Sequence, residues 1–218
     1  MQLQQQETFT IQGPQLEVLG EAESKLPAPA RRKPTAALVL VVLALVSVFG
    51  IGGLKLKGKY AGVQSLYTTA TNEYGDGIQT DLAAQADAAA SLIRLSGRIL
   101  GEEDPTVTQA NTALDGWNAA PVQPAAQYAA NQALYAAVGD TYTAASLKAD
   151  SDQRNQLDAL YSEFTSRQAL VERAAANDYN PAAEAYNRTT ASFPGNLIGG
   201  LWGVGRAELF VPTDTASN

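Results

Sequence analysis

The chain has 218 residues, 45% of them hydrophobic and 17% charged, with a formal net charge of -7. It contains neither cysteine nor histidine, which removes disulfides, thiolate metal sites, cysteine nucleophiles, the Ser-His-Asp triad and most zinc sites. Its 39 alanines favour helix, and the length allows one domain with appendages or two small domains.

Residues 1–34 read as a flexible tail. Glutamine recurs near the start, and Leu26-Pro27-Ala28-Pro29-Ala30 favours extended backbone. Few apolar residues are available there to offset the entropy of ordering. Phe9, Ile11, Leu16 and Val18 are the candidates for a short docking motif within it.

Ala36 to Leu54 is a run of 19 residues without a charge. As a helix it reaches about 28 Å, close to the thickness of a bilayer core. Arg31, Arg32 and Lys33 precede it, and Lys55, Lys57 and Lys59 follow it, so cationic side chains at both ends can reach the headgroups. A buried core helix of this length seldom lacks polar residues altogether. A cleaved signal peptide has a shorter n-region and a small-residue cleavage site, and neither feature is present. The expectation is a retained, single-pass transmembrane helix over 35–54.

Four cations on the amino side against three on the other nearly balance the positive-inside rule. The compact Arg-Arg-Lys cluster favours a cytoplasmic amino terminus. Residues 1–59 carry a net charge of +3 and residues 60–218 a net charge of -10. The second part should therefore repel nucleic acid, whose binding relies on neutralising phosphates.

Beyond the membrane run the tyrosines are periodic. Tyr60, Tyr67 and Tyr74 are seven apart, as are Tyr128, Tyr135 and Tyr142, and Tyr179 and Tyr186. A step of seven returns to nearly the same helix face. Val63 and Ala70 fill intermediate positions of the first set, and Val138 and Ala145 those of the second. Ile78, Leu82, Ala89, Leu92 and Ile99 trace one further stripe; Leu157, Leu160, Tyr161, Phe164 and Val171 trace another. These are coiled-coil-like seams in which tyrosines should face small alanines.

Gly75-Asp76-Gly77 is either a turn or a weak point within one helix. Gly101 to Pro105 predicts a turn, with Asp104 as cap and Pro105 at the first helical position. Gly116 to Pro124 predicts a loop around Trp117. Asp150 to Asp152 separates two long helices. Asn180-Pro181 suits a kink or a restart with Asn as cap, and Phe193-Pro194-Gly195 ends the last long helix.

Acidic clusters at Glu102-Glu103-Asp104 and at Asp150 with Asp152 lack a complete calcium or magnesium ligand set and read as solvated turns. Asp87 reads as a surface residue. No cofactor is expected, and no catalytic residue stands out. The segment Gly195 to Gly203 carries apolar residues among glycines, with Gly195, Gly199 and Gly203 four apart. It suits docking on lipid, on a second protomer or on its own helices.

Tyr179-Asn180, Tyr186-Asn187, Phe193-Pro194-Gly195-Asn196-Leu197-Ile198, Gly200-Leu201-Trp202-Gly203-Val204 and Leu209-Phe210 resemble the carboxyl-terminal pattern of the LemA family. That pattern has two Tyr-Asn pairs seven apart, then Phe-Pro-x-Asn-Leu-Ile and a Gly-aromatic segment. The close matching covers about 30 residues. The family's Asp-Leu-Ile-Pro-Asn-Leu string has only Asp87-Ala88-Ala89-Ala90-Ser91-Leu92 as counterpart, and Pro181 falls where the family helix is normally unbroken. The resemblance implies a membrane-anchored helical protein of the bacterial envelope, with no established enzymatic activity and a scaffold role. It marks Tyr179, Asn180, Tyr186, Asn187, Phe193, Pro194, Asn196 and Gly203 as structural or interaction residues. It also favours Tyr60 to Leu100 as nearly one helix, which would leave the Gly-Trp segment far from the bilayer.

The expected fold is all-α: an elongated antiparallel bundle of four-helix type behind a single amino-terminal transmembrane helix. Its parts are a tail (1–34), the membrane helix (35–54), a LemA-like helical bundle (55–192), and a Gly/Trp segment with a frayed end (193–218). The expected function is non-enzymatic: a scaffold or interaction module integral to the membrane. It would have protein partners of unknown identity, a possible second copy of itself, and no nucleic acid. The bundle would lie outside the cytoplasm. The alternative is a sensory domain that binds a small ligand between its helices and signals through a partner.

Overall fold

The structure, a computed structural model, describes residues 33–69 and 76–210. All regular structure among them is helical, with no strand. Most of the expected tail, residues 212–218 of the expected frayed end, and Ala70 and Tyr74 of the first tyrosine set lie outside the described residues. The chain divides into two units, Met1–Gly52 and Gly53–Asn218.

The first unit contains α1 (Lys33–Leu45) and a π-helical turn (Val46–Ile51). Many of its apolar side chains are exposed: Leu38 is 64% exposed, Leu40 67% and Val46 61%. The helical run Pro34–Thr68, 35 residues, is long and apolar enough to cross a membrane.

The second unit begins with α2 (Gly52–Thr68). The next helix, α3, is Ile78–Leu100, and Gly77 before it is extended, with φ -62° and ψ 153°. The near-continuous helix expected from Tyr60 to Leu100 is therefore interrupted: an extended residue ahead of Ile78 cannot carry helical hydrogen bonding across.

α4 is Pro105–Ala119. Asp104 caps it, accepting from the Thr106 amide at 2.9 Å and from the Thr106 hydroxyl at 2.7 Å. Gly116 and Trp117 lie inside this helix and not in a loop. Trp117 packs against the core, and that burial outweighs the weak helix propensity of one glycine. The connection shrinks to residues 120–123. α5 (Pro124–Lys148) and α6 (Ser151–Ala174) follow, with a capping box at Asp150 and Gln153.

A π-helical turn (Ala175–Tyr179) joins α6 to α7 (Asn180–Ala191) without a break, since Tyr179 and Asn180 both keep right-handed helical dihedrals. A proline within a helix removes one N–H and crowds an earlier carbonyl, and the wider turn lies immediately before Pro181. Asn180 is consequently not a helix cap; its side chain is used elsewhere. α8 (Gly195–Leu201) is a single short helix.

α3 packs against α4, α5 and α6. The core between them includes Leu92, Val107, Leu134, Val138, Leu157 and Phe164, interleaved with Ala89, Ala110, Ala137 and Ala145. Ile78, Leu82, Ala89 and Leu92 of the first apolar stripe are buried, and Ile99 is half-buried. Tyrosines of these seams pair with other aromatic residues, and Tyr135 and Tyr142 also pack against the alanine-containing core. Tyr135 stacks on Phe164 at 5.4 Å between centroids, and Tyr142 stacks on Tyr161 at 4.0 Å. Tyr60 meets Tyr186 at 5.4 Å, and Tyr67 meets Tyr179 at 5.5 Å. Such pairs add about 0.5–1.5 kcal/mol beyond the area they bury.

Candidate functional site

Five of the family-like residues, Tyr179, Asn180, Tyr186, Asn187 and Gly203, converge on the last described segment. Gly203 starts it. With φ +63° it occupies the left-handed region that glycine enters at little cost. Val204 N–H donates to the Gly199 carbonyl at 2.9 Å, and Gly203 N–H to the Gly200 carbonyl at 3.4 Å. This is the Schellman pattern that ends a helix. It turns the chain out of α8 into a strap, residues 204–210, which runs back along α7.

Two Tyr-Asn pairs hold the strap. The Tyr186 hydroxyl donates to the Gly205 carbonyl at 2.9 Å, and the Tyr179 hydroxyl to the Glu208 carbonyl at 2.7 Å. Asn187 binds Ala207 twice, donating to its carbonyl and accepting from its amide, both at 2.8 Å. The Asn180 side-chain oxygen accepts from the Phe210 amide at 2.9 Å.

The spacing has a simple origin. Seven residues of helix advance about 10.5 Å. Three residues of chain reach about 10 Å at full extension, enough for Ala207 to Phe210 to span that distance. Two asparagines one heptad apart thus match two backbone positions of the strap. Phe210, 1% exposed, then inserts between Tyr67 and Tyr128, at 6.1 and 5.4 Å. The strap therefore joins α7 to α2 and α5.

Burial pushes the Tyr179 hydroxyl up to about 12, with the Glu208 charge and Tyr60 adding to it. Burial also raises Tyr186. At neutral pH both phenols keep their protons and act as donors to the strap.

The other family-like residues sit apart from these bonds. Phe193 and Pro194 are exposed. Asn196 is exposed too; its side-chain oxygen accepts from the Leu197 amide at 2.8 Å. Asn196 also lines a shallow cleft of about 320 Å³ with Thr190, Gly200 and Arg206. A second shallow cleft, about 330 Å³, lies between α2 and α7, lined by Lys59, Val63, Leu66, Ala182 and Tyr186.

The Gly-Trp segment lies beside the start of α2. The Trp202 indole covers Gly53 so closely that a Cβ there would overlap its Nε1, and Gly199 approaches Leu56. The segment thus lies beside Gly53, the penultimate residue of the uncharged run, which is not the arrangement expected from one near-continuous helix over Tyr60–Leu100. The break before Ile78 separates α2 from α3, and α4 stands as a further helix between α3 and α5, so the near-continuous helix over Tyr60–Leu100 miscounts the elements ahead of the final helix.

A buried polar cluster escapes the sequence reading. Gln168 Oε1 accepts from Gln85 Nε2 at 2.9 Å and from Asn131 Nδ2 at 2.6 Å, while Gln168 Nε2 donates to Glu172 at 2.8 Å. Asp81, 1% exposed, pairs with Arg167 at 2.8 Å. Burial raises the Asp81 carboxyl and Asp76 adds to this, while the bond to Arg167 opposes it. Asp81 and Gln85 interrupt the stripe Ile78, Leu82, Ala89 on one helix face. Polar residues inside an apolar stripe are the signal that would have found them. Asp87, by contrast, is exposed. Among the described residues no three acidic side chains gather to hold a metal ion.

No family model, no curated protein and no solved structure matches this chain.

Proposed function

We propose that this chain is a LemA-like, single-pass membrane protein that presents an elongated antiparallel helical bundle of four-helix type as a non-enzymatic scaffold. The observation that carries the membrane reading is the bare apolar surface of α1 and the turn after it. A water-soluble protein rarely leaves a contiguous apolar surface of that extent uncovered. The reversed pairing of aromatic registers supports the antiparallel bundle: Tyr60 with Tyr186 and Tyr67 with Tyr179, then Tyr135 with Phe164 and Tyr142 with Tyr161. The scaffold role draws support from the Tyr-Asn pairs, whose phenol hydroxyls and amide oxygens hold the strap in place.

The amino terminus lies in the cytoplasm and the bundle outside it, at the envelope. Alkaline carbonate extraction followed by protease treatment of a tag fused after Asn218 tests both parts. Retention in the membrane pellet, with the tag cleaved in intact cells, is the expected result. Release by carbonate would end the membrane reading. Retention with cleavage only after lysis would reverse the orientation.

The cleft between α2 and α7 favours a second reading, a sensory domain with its ligand at Lys59 and Tyr186. A thermal shift with a small anionic ligand, lost in Lys59→Ala, would support it.

A further inference from the structure

The outer side of α8 carries an apolar stripe that no described residue covers. Phe193 is 78% exposed, Leu197 53% and Leu201 73%. Leu197 and Leu201 are four apart and so share a helix face, and exposed Phe193 lies just before this helix begins at Gly195. The inner side differs: Gly195, Ile198 and Gly199 are buried.

A separate observation sets the level of this stripe along the chain. Trp202 lies on Gly53, and Gly199 lies near Leu56. Gly53 and Leu54 are the last residues of the uncharged run that begins at Ala36. Lys55, Lys57 and Lys59 follow at once and are exposed. The stripe is thus beside the point where the chain passes from apolar to cationic, which is the composition of a bilayer interface.

We propose that Phe193, Leu197 and Leu201 enter the lipid interface next to the exit of the membrane helix, giving the bundle a second contact with the bilayer. This rests on the reading of residues 35–54, within the long apolar helical run, as the membrane-crossing segment. The occupant is lipid and not a second copy of the chain. A seven-residue helix with two exposed leucines, and Phe193 beside it, offers far less than the about 800 Å² per partner of a stable dimer. The neighbouring lysines also draw anionic headgroups. Shallow burial of such side chains is the ordinary binding mode of interfacial helices. The proposal extends the scaffold reading: with both ends of the bundle tied down, its base is held against the membrane.

Because the natural chain has no cysteine, single-cysteine variants of the full-length protein can each carry one fluorescent label. Leu197→Cys and Leu201→Cys report on the stripe. Val41→Cys reports on the apolar run. Leu147→Cys, at an isolated position 81% exposed, reports on water. Each is reconstituted in vesicles of phosphatidylcholine and phosphatidylglycerol. It is then quenched in turn by iodide in the water and by a nitroxide lipid with its spin near the headgroup. Unchanged melting temperatures verify that the variants fold.

The expected result is lipid quenching at 197 and 201 at least about twofold stronger than at 147, with protection from iodide. Iodide access at 197 and 201 equal to that at 147, with 41 protected, would overturn the proposal and leave the membrane span intact. Protection from both quenchers would mean that protein covers the stripe, and would also overturn it. Iodide access at 41 would remove the span itself, and the proposal with it.

Discussion

The side-chain amide of Asn187 grips the backbone of Ala207 from both sides, donating to its carbonyl and accepting from its amide at 2.8 Å. Twenty residues separate the two in sequence. One asparagine thereby satisfies a donor and an acceptor in a segment that belongs to no helix or strand. With Asn180 on Phe210, it converts a terminal extension into part of the fold.

Asn187→Ala removes both bonds and leaves the partly buried strap backbone unpaired. The expected cost is about 2 kcal/mol, a fall of about 4–8 °C in melting temperature for a chain of this size. Hydrogen exchange at the Ala207 amide should accelerate more than exchange at Leu134 in the core. A melting temperature within about 1 °C of the parent would mean that the strap contributes nothing to folding.

Phe210 is the anchor of the same segment, buried against Tyr67 and Tyr128. Phe210→Ala should cost about 3–5 kcal/mol. Phe210→Leu, which keeps much of the volume, should cost less than half as much. Equal losses in the two variants, measured by urea unfolding, would argue against a packing role.

Gln168 serves two donors with one oxygen. Gln168→Ala should destabilise by about 2–4 kcal/mol, because it strands the amides of Gln85 and Asn131 in the interior. Replacing all three residues by apolar ones of similar volume (Gln85→Leu, Asn131→Leu, Gln168→Met) should recover most of that loss. Failure of the triple variant to exceed the single variant in chemical denaturation would refute the desolvation argument.

Asp81 sets a pH dependence. Its folded pKa lies above the unfolded value because burial outweighs the attraction of Arg167. The folded state therefore holds the proton more tightly. This contribution to stability is complete below the unfolded carboxylate pKa, about 3.9, and is lost as pH rises through the folded pKa. Asp81→Asn cannot lose it. The melting temperature of the variant minus that of the parent should therefore rise from pH 3.5 to pH 7. A difference that is flat, or that falls, over this window would contradict the assigned direction.

The elements legible from the sequence are those set by neighbours in the chain. Asp104-Pro105 and Asp150 mark helix starts because a cap and the first turn lie within four residues of each other. The tyrosine heptads mark packed faces because a helix repeats locally. The readings that fail are those that need a partner. Trp117 stays helical through its contact with the core. Pro181 does not break its helix, since a π-helical turn precedes it. Asn180 looks like a cap until the strap, 30 residues later, claims its side chain.

By itself, then, the sequence determined an apolar run long enough to cross a bilayer, an all-helical remainder and the faces on which its helices pack. These follow from hydropathy and periodicity, which are properties of short stretches. The tertiary structure alone decided which faces meet, that the Tyr-Asn pairs read the backbone of residues 204–210, and that Trp202 comes to rest on Gly53. Those outcomes depend on every chain reversal in between. A short helix such as α4, inserted between two others, changes where all later residues arrive without changing the local pattern of any of them.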